Sequence, residues 1–298
     1  MRLSELENII EELNIINDGE FTSLGLAISE TNEKLLSFIE DEKYINKLAQ
    51  NITCIITTSD ISKKLDKKYG IIVANNPRIM YFTIHNILGL NYKKKYLRKS
   101  FNTVIGKYGN ISRLACVSDT NVIIGENVII EEFVVIRENT IVEDNAIIRA
   151  GCIIGGEGYE FKRNKDEIFN IVHCGGVIIR NNVEVQYNST IDKAVYTWDN
   201  TVIDSFSKLD NMVHIEHGAK IGKACLIASK AVIGGRTIVG DKCWIGLGAI
   251  ISNGINIGDG ASISLGAVVT KSIESRKKVS GNFAVDHNKY LDFIKSIR

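Results

Sequence analysis

Two histidines separated by two residues are the first candidates for chemistry in this 298-residue chain. His214 and His217 flank Ile215, and the chain has only five histidines in all. A neutral imidazole near pH 7 can take a proton from an attacking amine or hydroxyl group. Because Ile215 occupies an inward position of the repeat described next, we expect both histidines to reach the surface. His217 is therefore the candidate general base, and His214 is a candidate substrate contact.

The elements that must position these side chains follow a six-residue repeat. Aliphatic residues recur at every sixth position from Ile179 to Val269, with Thr197 as the one exception, and from Ile124 to Ile154 with none. Neither a strand of period 2 nor a helix of period 3.6 keeps this spacing. Three hexads close a triangular coil of 18 residues whose strands pair in parallel with those of the next coil. We predict a mainly β chain, with a left-handed parallel β-helix over 103–273.

Counting in coils of 18 predicts which side chains meet. The count places Asp199, His217 and Gly235 on one face, and it stacks Asp192 on Asp210. A glycine beside the base leaves room for a substrate to approach the backbone, and its N–H can stabilise a tetrahedral oxyanion. Either of the stacked aspartates can orient a histidine or bind a substrate amine, although aspartate also simply suits a corner of the coil. Gly235 and Asp210 are therefore candidate catalytic residues, and Asp192 is a candidate substrate contact.

The repeat has one large break, over residues 155–176. This segment contains Tyr159, Phe161, a charged stretch and His173. Long loops on a rigid scaffold often carry function, so His173 is a further candidate for substrate binding or for support of the base. A tolerated surface insertion is the alternative.

The composition excludes several classes of protein. The net charge of +1 gives no bulk electrostatic case for nucleic acid or for an anionic membrane. No apolar run approaches the roughly 20 residues that span a bilayer, and the N-terminus does not read as a signal peptide. The six cysteines form no CxxC pair, which suits a reduced, cytoplasmic protein. A short basic run over 93–95, continued by Arg98, reads as a solvated linker.

The two ends of the chain lack the hexad. Residues 1–102 read as a small α/β domain with strands over 35–39, 52–57 and 70–74, and with a helix that Pro77 opens. Residues 274–298 read as a tail. Its one helix, over 286–297, is expected to bury Tyr290, Leu291, Phe293 and Ile294.

These motifs resemble the UDP-3-O-acylglucosamine N-acyltransferases, which are hexapeptide-repeat acyltransferases, over nearly the whole chain. Segment 36–44 is similar to the family's uridine-binding segment, in which aromatic residues at the positions of Phe38 and Tyr44 sandwich the base. The family usually has Asn where this chain has Asp41, which opens thymine as well as uracil. Segment 215–217 matches the segment that holds the family's general-base histidine. The resemblance implies His217 as base and, less closely, Asp210 and Gly235.

The resemblance also implies donors, partners and an assembly. The donor is an acyl thioester of coenzyme A or of acyl carrier protein, and its pantetheine arm is expected near Gly248, Ser252 and Asn253, between subunits of a homotrimer. The acceptor is a UDP- or dTDP-linked amino sugar. Segment 215–222 is also similar to nucleotide-amino-sugar N-acetyltransferases, and this chain ends after one helix where lipid A enzymes continue into longer helices. Lipid A and other surface glycans such as O-antigen are therefore both open as pathways.

Three functions follow as hypotheses. The first is N-acyl transfer to a nucleotide-linked amino sugar, with no metal and no permanently bound cofactor. The second is a non-catalytic β-helical scaffold or sugar-nucleotide-binding protein, which predicts binding at Phe38 and Tyr44 without turnover. The third is a metal enzyme like the β-helical carbonic anhydrases, which needs a third histidine ligand near His214 and His217.

Overall fold

The computed structural model describes residues 1–10, 13–92, 96–281 and 283–297. The predicted basic run over 93–95 lies outside the described residues. The N-terminal part is a mixed sheet flanked by helices. Its strands are Asn14–Asn17, Ser23–Leu24, Leu35–Phe38, Ile52–Thr57 and Gly70–Val73, and its helices are the 3₁₀ turns Leu3–Asn8 and Glu42–Lys47 and the α-helices Ser59–Ser62 and Pro77–Asn91. Asn76 caps the last of these by accepting a hydrogen bond from the Ile79 N–H, and Pro77 stands in its first turn.

The predicted left-handed parallel β-helix follows, with three sheets as the faces of a prism. The first sheet contains Val104–Ile105, Val122–Ile124, Thr140–Val142, Gly176–Ile179, Asn200–Ile203, Lys220–Ile221, Ile238–Val239 and Asn256–Ile257. The second contains Asn110–Ile111, Ile129–Ile130, Ile147–Ile148, Glu184–Val185, Lys208–Leu209, Leu226–Ile227, Trp244–Ile245, Ser262–Ile263 and Lys278–Val279. The third contains Cys116–Val117, Val135–Ile136, Ile153–Gly156, Thr190–Asp192, His214–Ile215, Val232–Ile233, Ile250–Ile251 and Val268–Val269.

The aliphatic position of each hexad points into the prism, as the repeat predicts. Ile215, Ile233 and Ile251 stack in successive coils, and each is at most 1% exposed. Each buried isoleucine removes its side chain from water, which stabilises the fold by roughly 1.5–3 kcal/mol. The coils are therefore a rigid frame on which the corner residues are carried.

Two insertions interrupt the coil, and the hexad count revealed only one of them. Val142 pairs with Ile179, which is 37 residues later in the chain. The distance is this long because the segment between Gly156 and Gly176 leaves the coil and forms a hairpin of strands Phe161–Asn164 and Glu167–Asn170. Thr190 pairs with His214, which is 24 residues later instead of the usual 18. The six extra residues lie between Asp192 and Asn200 and contain Thr197, the one exception in the repeat.

The second insertion joins the β-helix to the N-terminal sheet. The Trp198 indole N–H donates to the Leu24 carbonyl at 2.8 Å, and the Ser23 and Thr197 hydroxyls lie 2.8 Å apart. Arg98 donates to the carbonyls of Thr197 and Asp199, so it is an anchor and not part of a solvated linker. Residues of both insertions complete the apolar core of the N-terminal part: Ile171, Cys174, Val195 and Tyr196 pack with Leu24, Tyr81 and Leu88.

The tail carries the predicted helix, at His287–Ser296, but the helix does not pack as expected. Tyr290, Leu291 and Phe293 are 50%, 39% and 58% exposed, and Ile294 is only half-buried. The amphipathic pattern correctly predicted a helix, but none of the helix's described residues is buried. None of the described helices is both long enough and apolar enough to cross a bilayer.

Candidate functional site

His217 lies at the corner that follows strand His214–Ile215, directly against Gly235 of the next coil. A methyl group added at Gly235 would stand 2.8 Å from His217 Nε2, so these two residues meet as the count of 18 predicts. The imidazole is 6% exposed, which differs from the expected surface position. It is buried because the stem of the first insertion, residues 158–160, folds over it.

The stem covers both ring nitrogens of His217. Glu160 Oε2 lies 3.1 Å from Nε2, and a methyl group at Gly158 would stand 2.9 Å from Nδ1. The base of the hairpin is held by helix Pro77–Asn91, where Asn86 donates to the Asn170 carbonyl and accepts from the Val172 N–H. Between these two anchored residues, the Ile171 N–H donates to the Glu160 carbonyl, so helix Pro77–Asn91 helps to hold Glu160 beside His217.

Glu160 is a buried carboxylate among cations. Besides His217 it contacts Arg236 Nη2 at 3.2 Å and the Lys162 ammonium. Burial alone would raise its pKa, but the hydrogen bonds from His217 and Lys162 and the charge of Arg236 together hold the pKa of Glu160 well below its usual range. Glu160 is therefore ionised at neutral pH, and the His217 Nε2 that faces it carries a proton.

His173 lies on the other side of the base. Its ring and that of His217 meet edge to face, with centroids 5.5 Å apart. His173 Nδ1 donates to the Ile171 carbonyl at 3.0 Å, which leaves Nε2 as a hydrogen-bond acceptor. Burial, reinforced by His217, lowers the pKa of His173 to about 4. Among the described residues, neither His173 Nε2 nor His217 Nδ1 has a hydrogen-bond partner, and both face Gly158.

His214 and Asp192 lie beside this cluster on the third sheet. His214 is half-exposed, and its Nδ1 lies 2.7 Å from the Thr190 hydroxyl. Asp192 Oδ2 lies 3.7 Å from His214 Nε2, and burial raises the pKa of Asp192. A methyl group at Gly158 would stand 2.9 Å from the same oxygen and from His217 Nδ1, so Asp192 lies on the Nδ1 side of the His217 ring.

The structure does not bring Asp210 to this site. Asp210 follows the second sheet, where its carboxylate accepts from the backbone N–H groups of Asn211 and Ser229. The predicted stack of Asp192 on Asp210 is wrong because the coil between them has 24 residues, which moves Asp210 to another corner. Asp199 does come next to the base, beside Gly218, but its carboxylate pairs with Lys220.

The N–H of Gly235 already has an acceptor. It donates to Glu216 Oε2 at 2.7 Å. The same link across 19 residues recurs at the corner that follows the second sheet, from Ala150 N to Glu131 and from Ser229 N to Asp210. It is therefore a structural feature of the coil, and an oxyanion at Gly235 requires the half-exposed Glu216 side chain to rotate away.

A surface groove of about 440 Å³ opens in front of His217. Ser252 and Asn253 line it together with His217 and Gly235, so two of the three residues predicted for the acyl donor share the groove with the candidate base. Gly248 lies at the opposite end of strand Ile250–Ile251 and does not line it.

A second cavity, of about 240 Å³, lies in the N-terminal part and is lined by Phe38, Tyr44 and Arg78. Phe38 packs on Tyr81 with ring centroids 4.9 Å apart, while Tyr44 is 39% exposed. Asp41 does not line the cavity, because its carboxylate caps the turn Glu42–Lys47 by accepting from the Lys43 N–H. The two aromatic residues predicted to hold a base thus lie on one cavity.

Sequence reasoning missed Glu160 and Arg236. The 18-residue count cannot place Glu160, because the insertion follows its own hairpin geometry. The sequence did offer a signal for Arg236, because this residue comes directly after the candidate residue Gly235. In the structure Arg236 lies at the same corner, with φ of +58°. In the part of the chain that the structure describes, no group of three or more His, Cys, Asp or Glu side chains is arranged to hold a metal ion.

Comparisons with known proteins agree with this architecture. Residues 121–156 match the family model described as bacterial transferase hexapeptide (six repeats). A solved UDP-N-acetylglucosamine acyltransferase from Campylobacter jejuni aligns with a TM-score of 0.55 over 66% of this chain and 79% of that one, and the 20% identity shows a shared fold alone.

Curated relatives carry the family assignment. UDP-3-O-acylglucosamine N-acyltransferase 2 of Legionella pneumophila is 41% identical over 30% of this chain, and the match spans only 25% of that relative. UDP-3-O-acylglucosamine N-acyltransferase of Fusobacterium nucleatum is 35% identical over 75% of this chain and 73% of the relative. With that coverage, the chain belongs to the UDP-3-O-acylglucosamine N-acyltransferase family.

Proposed function

We propose that the protein transfers an acyl group from a thioester to the amine of a nucleotide-linked amino sugar. The observation that carries the proposal is the placement of His217 against Gly235, at the wall of a groove that Ser252 and Asn253 extend. An imidazole is a suitable base near neutral pH. A groove that runs past it along the coils suits a long, narrow donor arm.

In the proposed reaction, the amine nitrogen attacks the thioester carbonyl carbon. A C–N bond forms and the C–S bond breaks. Once the proton on His217 Nε2 has moved to Nδ1, Nε2 takes a proton from the nitrogen and returns it to the leaving sulfur. The products are an amide and a free thiol. The Gly235 N–H stabilises the oxyanion once Glu216 has turned away.

The acceptor's nucleotide is held, in this proposal, in the cavity between Phe38 and Tyr44. The names of the relatives favour UDP over dTDP. Aromatic side chains hold a base by stacking. Phe38 is fixed by Tyr81 behind it, whereas the exposed Tyr44 is free to close over a base.

The proposal includes a homotrimer. Outward positions of the second sheet carry Leu226 and Trp244 on successive coils, 46% and 48% exposed. Flat apolar faces on a prism suit symmetric packing. Light scattering tests this part on its own, and a monomer at micromolar concentration would contradict it.

A second candidate function is a non-catalytic sugar-nucleotide-binding protein. One observation favours it: both groups that the reaction needs are occupied, His217 Nε2 by Glu160 and the Gly235 N–H by Glu216. This function predicts nucleotide binding without turnover.

Release of free thiol distinguishes the two functions. UDP- and dTDP-linked amino sugars are each mixed with acetyl-CoA, a longer acyl-CoA and an acyl carrier protein thioester. We expect thiol release with at least one pair, and a loss of about 10³-fold or more in His217→Ala, as is typical for removal of a general base. The matched control is His287→Ala, which removes an exposed histidine of the tail helix, far from the groove in the chain's architecture. Full activity in His217→Ala would exclude the mechanism, and nucleotide binding without thiol release would favour the second function.

A further inference from the structure

Glu160 has a place in the site that the proposed reaction does not yet use. Its carboxylate stands 3.1 Å from the ring nitrogen that must receive the acceptor's proton, and it lines the same groove as Gly235. An acceptor amine near His217 Nε2 must therefore either displace Glu160 or bind to it.

The chemistry of the acceptor favours binding. A sugar amine is protonated to a large extent near neutral pH, so it reaches the protein as an ammonium ion. Ammonium groups donate up to three hydrogen bonds and are stabilised by a partly desolvated carboxylate. Glu160 is 8% exposed and ionised, and it is anchored by Arg236 independently of His217. It is thus already held as an anion at the point where the amine must arrive.

We infer that Glu160 is a specificity-determining residue that binds the acceptor's amine and thereby selects amino sugars over hydroxyl sugars. This inference rests on the proposed function. The amine takes over the hydrogen bond that Glu160 accepts from His217 and lies between the carboxylate and the imidazole.

The same exchange prepares His217 to act as a base. While Glu160 accepts from Nε2–H, that nitrogen has no free lone pair. Once the amine occupies Glu160, the Nε2 proton loses its acceptor, and the neutral tautomer with the proton on Nδ1 becomes favourable. His173 Nε2 is an acceptor on that side, because its Nδ1 donates to the Ile171 carbonyl. The two buried nitrogens without partners, His173 Nε2 and His217 Nδ1, then satisfy each other directly or through a water.

The proton balance requires one further release. The ammonium gives one proton through His217 to solvent, which leaves a neutral amine on Glu160. Attack on the thioester then proceeds as above, with the second proton passing through His217 to the leaving sulfur. No oxidant, metal or further reactant enters.

The test measures acceptor binding without any acyl donor, so it does not depend on turnover. UDP-glucosamine and UDP-glucose carry an amine or a hydroxyl at the same carbon, and each is titrated calorimetrically into the full-length protein at pH 7. We expect the wild type to bind the amino sugar about tenfold or more tightly, the usual worth of a charge-assisted hydrogen bond. Glu160→Gln removes that preference and leaves the affinity for UDP-glucose within about twofold.

Two controls separate specificity from structure. Glu167→Gln changes an exposed carboxylate of the same hairpin, and it is expected to keep the wild-type preference. Glu160→Asp keeps the charge and is expected to restore part of the preference that Glu160→Gln loses. A merely structural role for Glu160 predicts equal weakening of both ligands in Glu160→Gln.

The inference is overturned if the wild type does not prefer UDP-glucosamine, or if Glu160→Gln keeps the preference. Failure of the proposed function looks different, because it shows as absent thiol release in the presence of donor, whatever the amine preference. If thiol release depends on His217 but Glu160→Gln still prefers UDP-glucosamine, this inference is wrong and the proposed function stands.

Discussion

Replacing Gly235 with alanine tests the contact on which the site depends. The backbone φ of Gly235 lies outside the left-handed region, so alanine fits its conformation without strain. The added methyl group would stand 2.8, 3.1 and 3.2 Å from His217 Nε2, Cε1 and Cδ2. The substitution therefore acts on the His217 ring and leaves the coil intact.

The size of the effect follows from these distances. The nearest contact must open from 2.8 Å to the 3.4 Å at which ordinary van der Waals contact begins, a shift of about 0.6 Å. The ring cannot retreat freely, because Gly158 lies against its opposite nitrogen. Misplacement of a reacting group by about 1 Å costs on the order of 10²-fold in rate, equivalent to about 2.7 kcal/mol. We expect kcat to fall between about 10-fold and 100-fold.

The assay is thiol release under saturating donor and acceptor, with a thermal melt of each variant. Gly281→Ala is the matched control, since its methyl group would meet no described atom within 4 Å. Both variants are expected to melt within a few degrees of the wild type. A Gly235→Ala variant that keeps more than half of the wild-type kcat would refute the placement of His217 as the reacting base.

Three further predictions concern other parts of the molecule. Burial lowers the pKa of His85 from 6.5 to about 4, so its stabilising contribution is present above pH 6.5 and is lost as pH falls from there towards 4. Between pH 7 and 5 the free energy of unfolding should drop by roughly 2 kcal/mol from His85 alone, and urea titrations of His85→Gln should show a shallower pH dependence. Tyr44→Ala should weaken nucleotide binding about tenfold by calorimetry without changing the melting temperature, and an unchanged affinity would remove the cavity from the acceptor site. Ile233→Ala should cost about 2–5 kcal/mol in denaturant unfolding, and a loss below 1 kcal/mol would mean that the coils do not pack as a single core.

The repeat was predictable because one physical rule, an inward aliphatic at every sixth position, holds in coil after coil. The meeting of His217 with Gly235 follows directly from it, since no insertion separates their coils. In the N-terminal part, strand Ile52–Thr57 and the helix that Pro77 opens were also predictable from local patterns. Such rules succeed where the position of a residue is set by residues close to it in sequence.

The rest depends on where the chain leaves the coil. Thr197 was counted as an exception at an inward position, but it lies in a six-residue insertion. Because the count ignored this insertion, it placed Asp210 at the corner of Asp192 instead of at another corner. Glu160 meets His217 from a hairpin that helix Pro77–Asn91 holds from outside the repeat. Contacts between segments so distant in sequence leave no periodic trace, so spacing alone could not reveal that Glu160 belongs to the site.

The shared core between the N-terminal part and the two insertions has a consequence for how the protein is made. Ser23 meets Thr197 across 174 positions, and Leu24 and Tyr81 pack against Ile171 and Tyr196. During synthesis, the first hundred residues leave the ribosome well before these partners exist, so their apolar surface stays uncovered until half of the β-helix has followed. Contacts of such long range slow folding. The N-terminal part is thus made first and completed late, and the same late step brings Glu160 to His217.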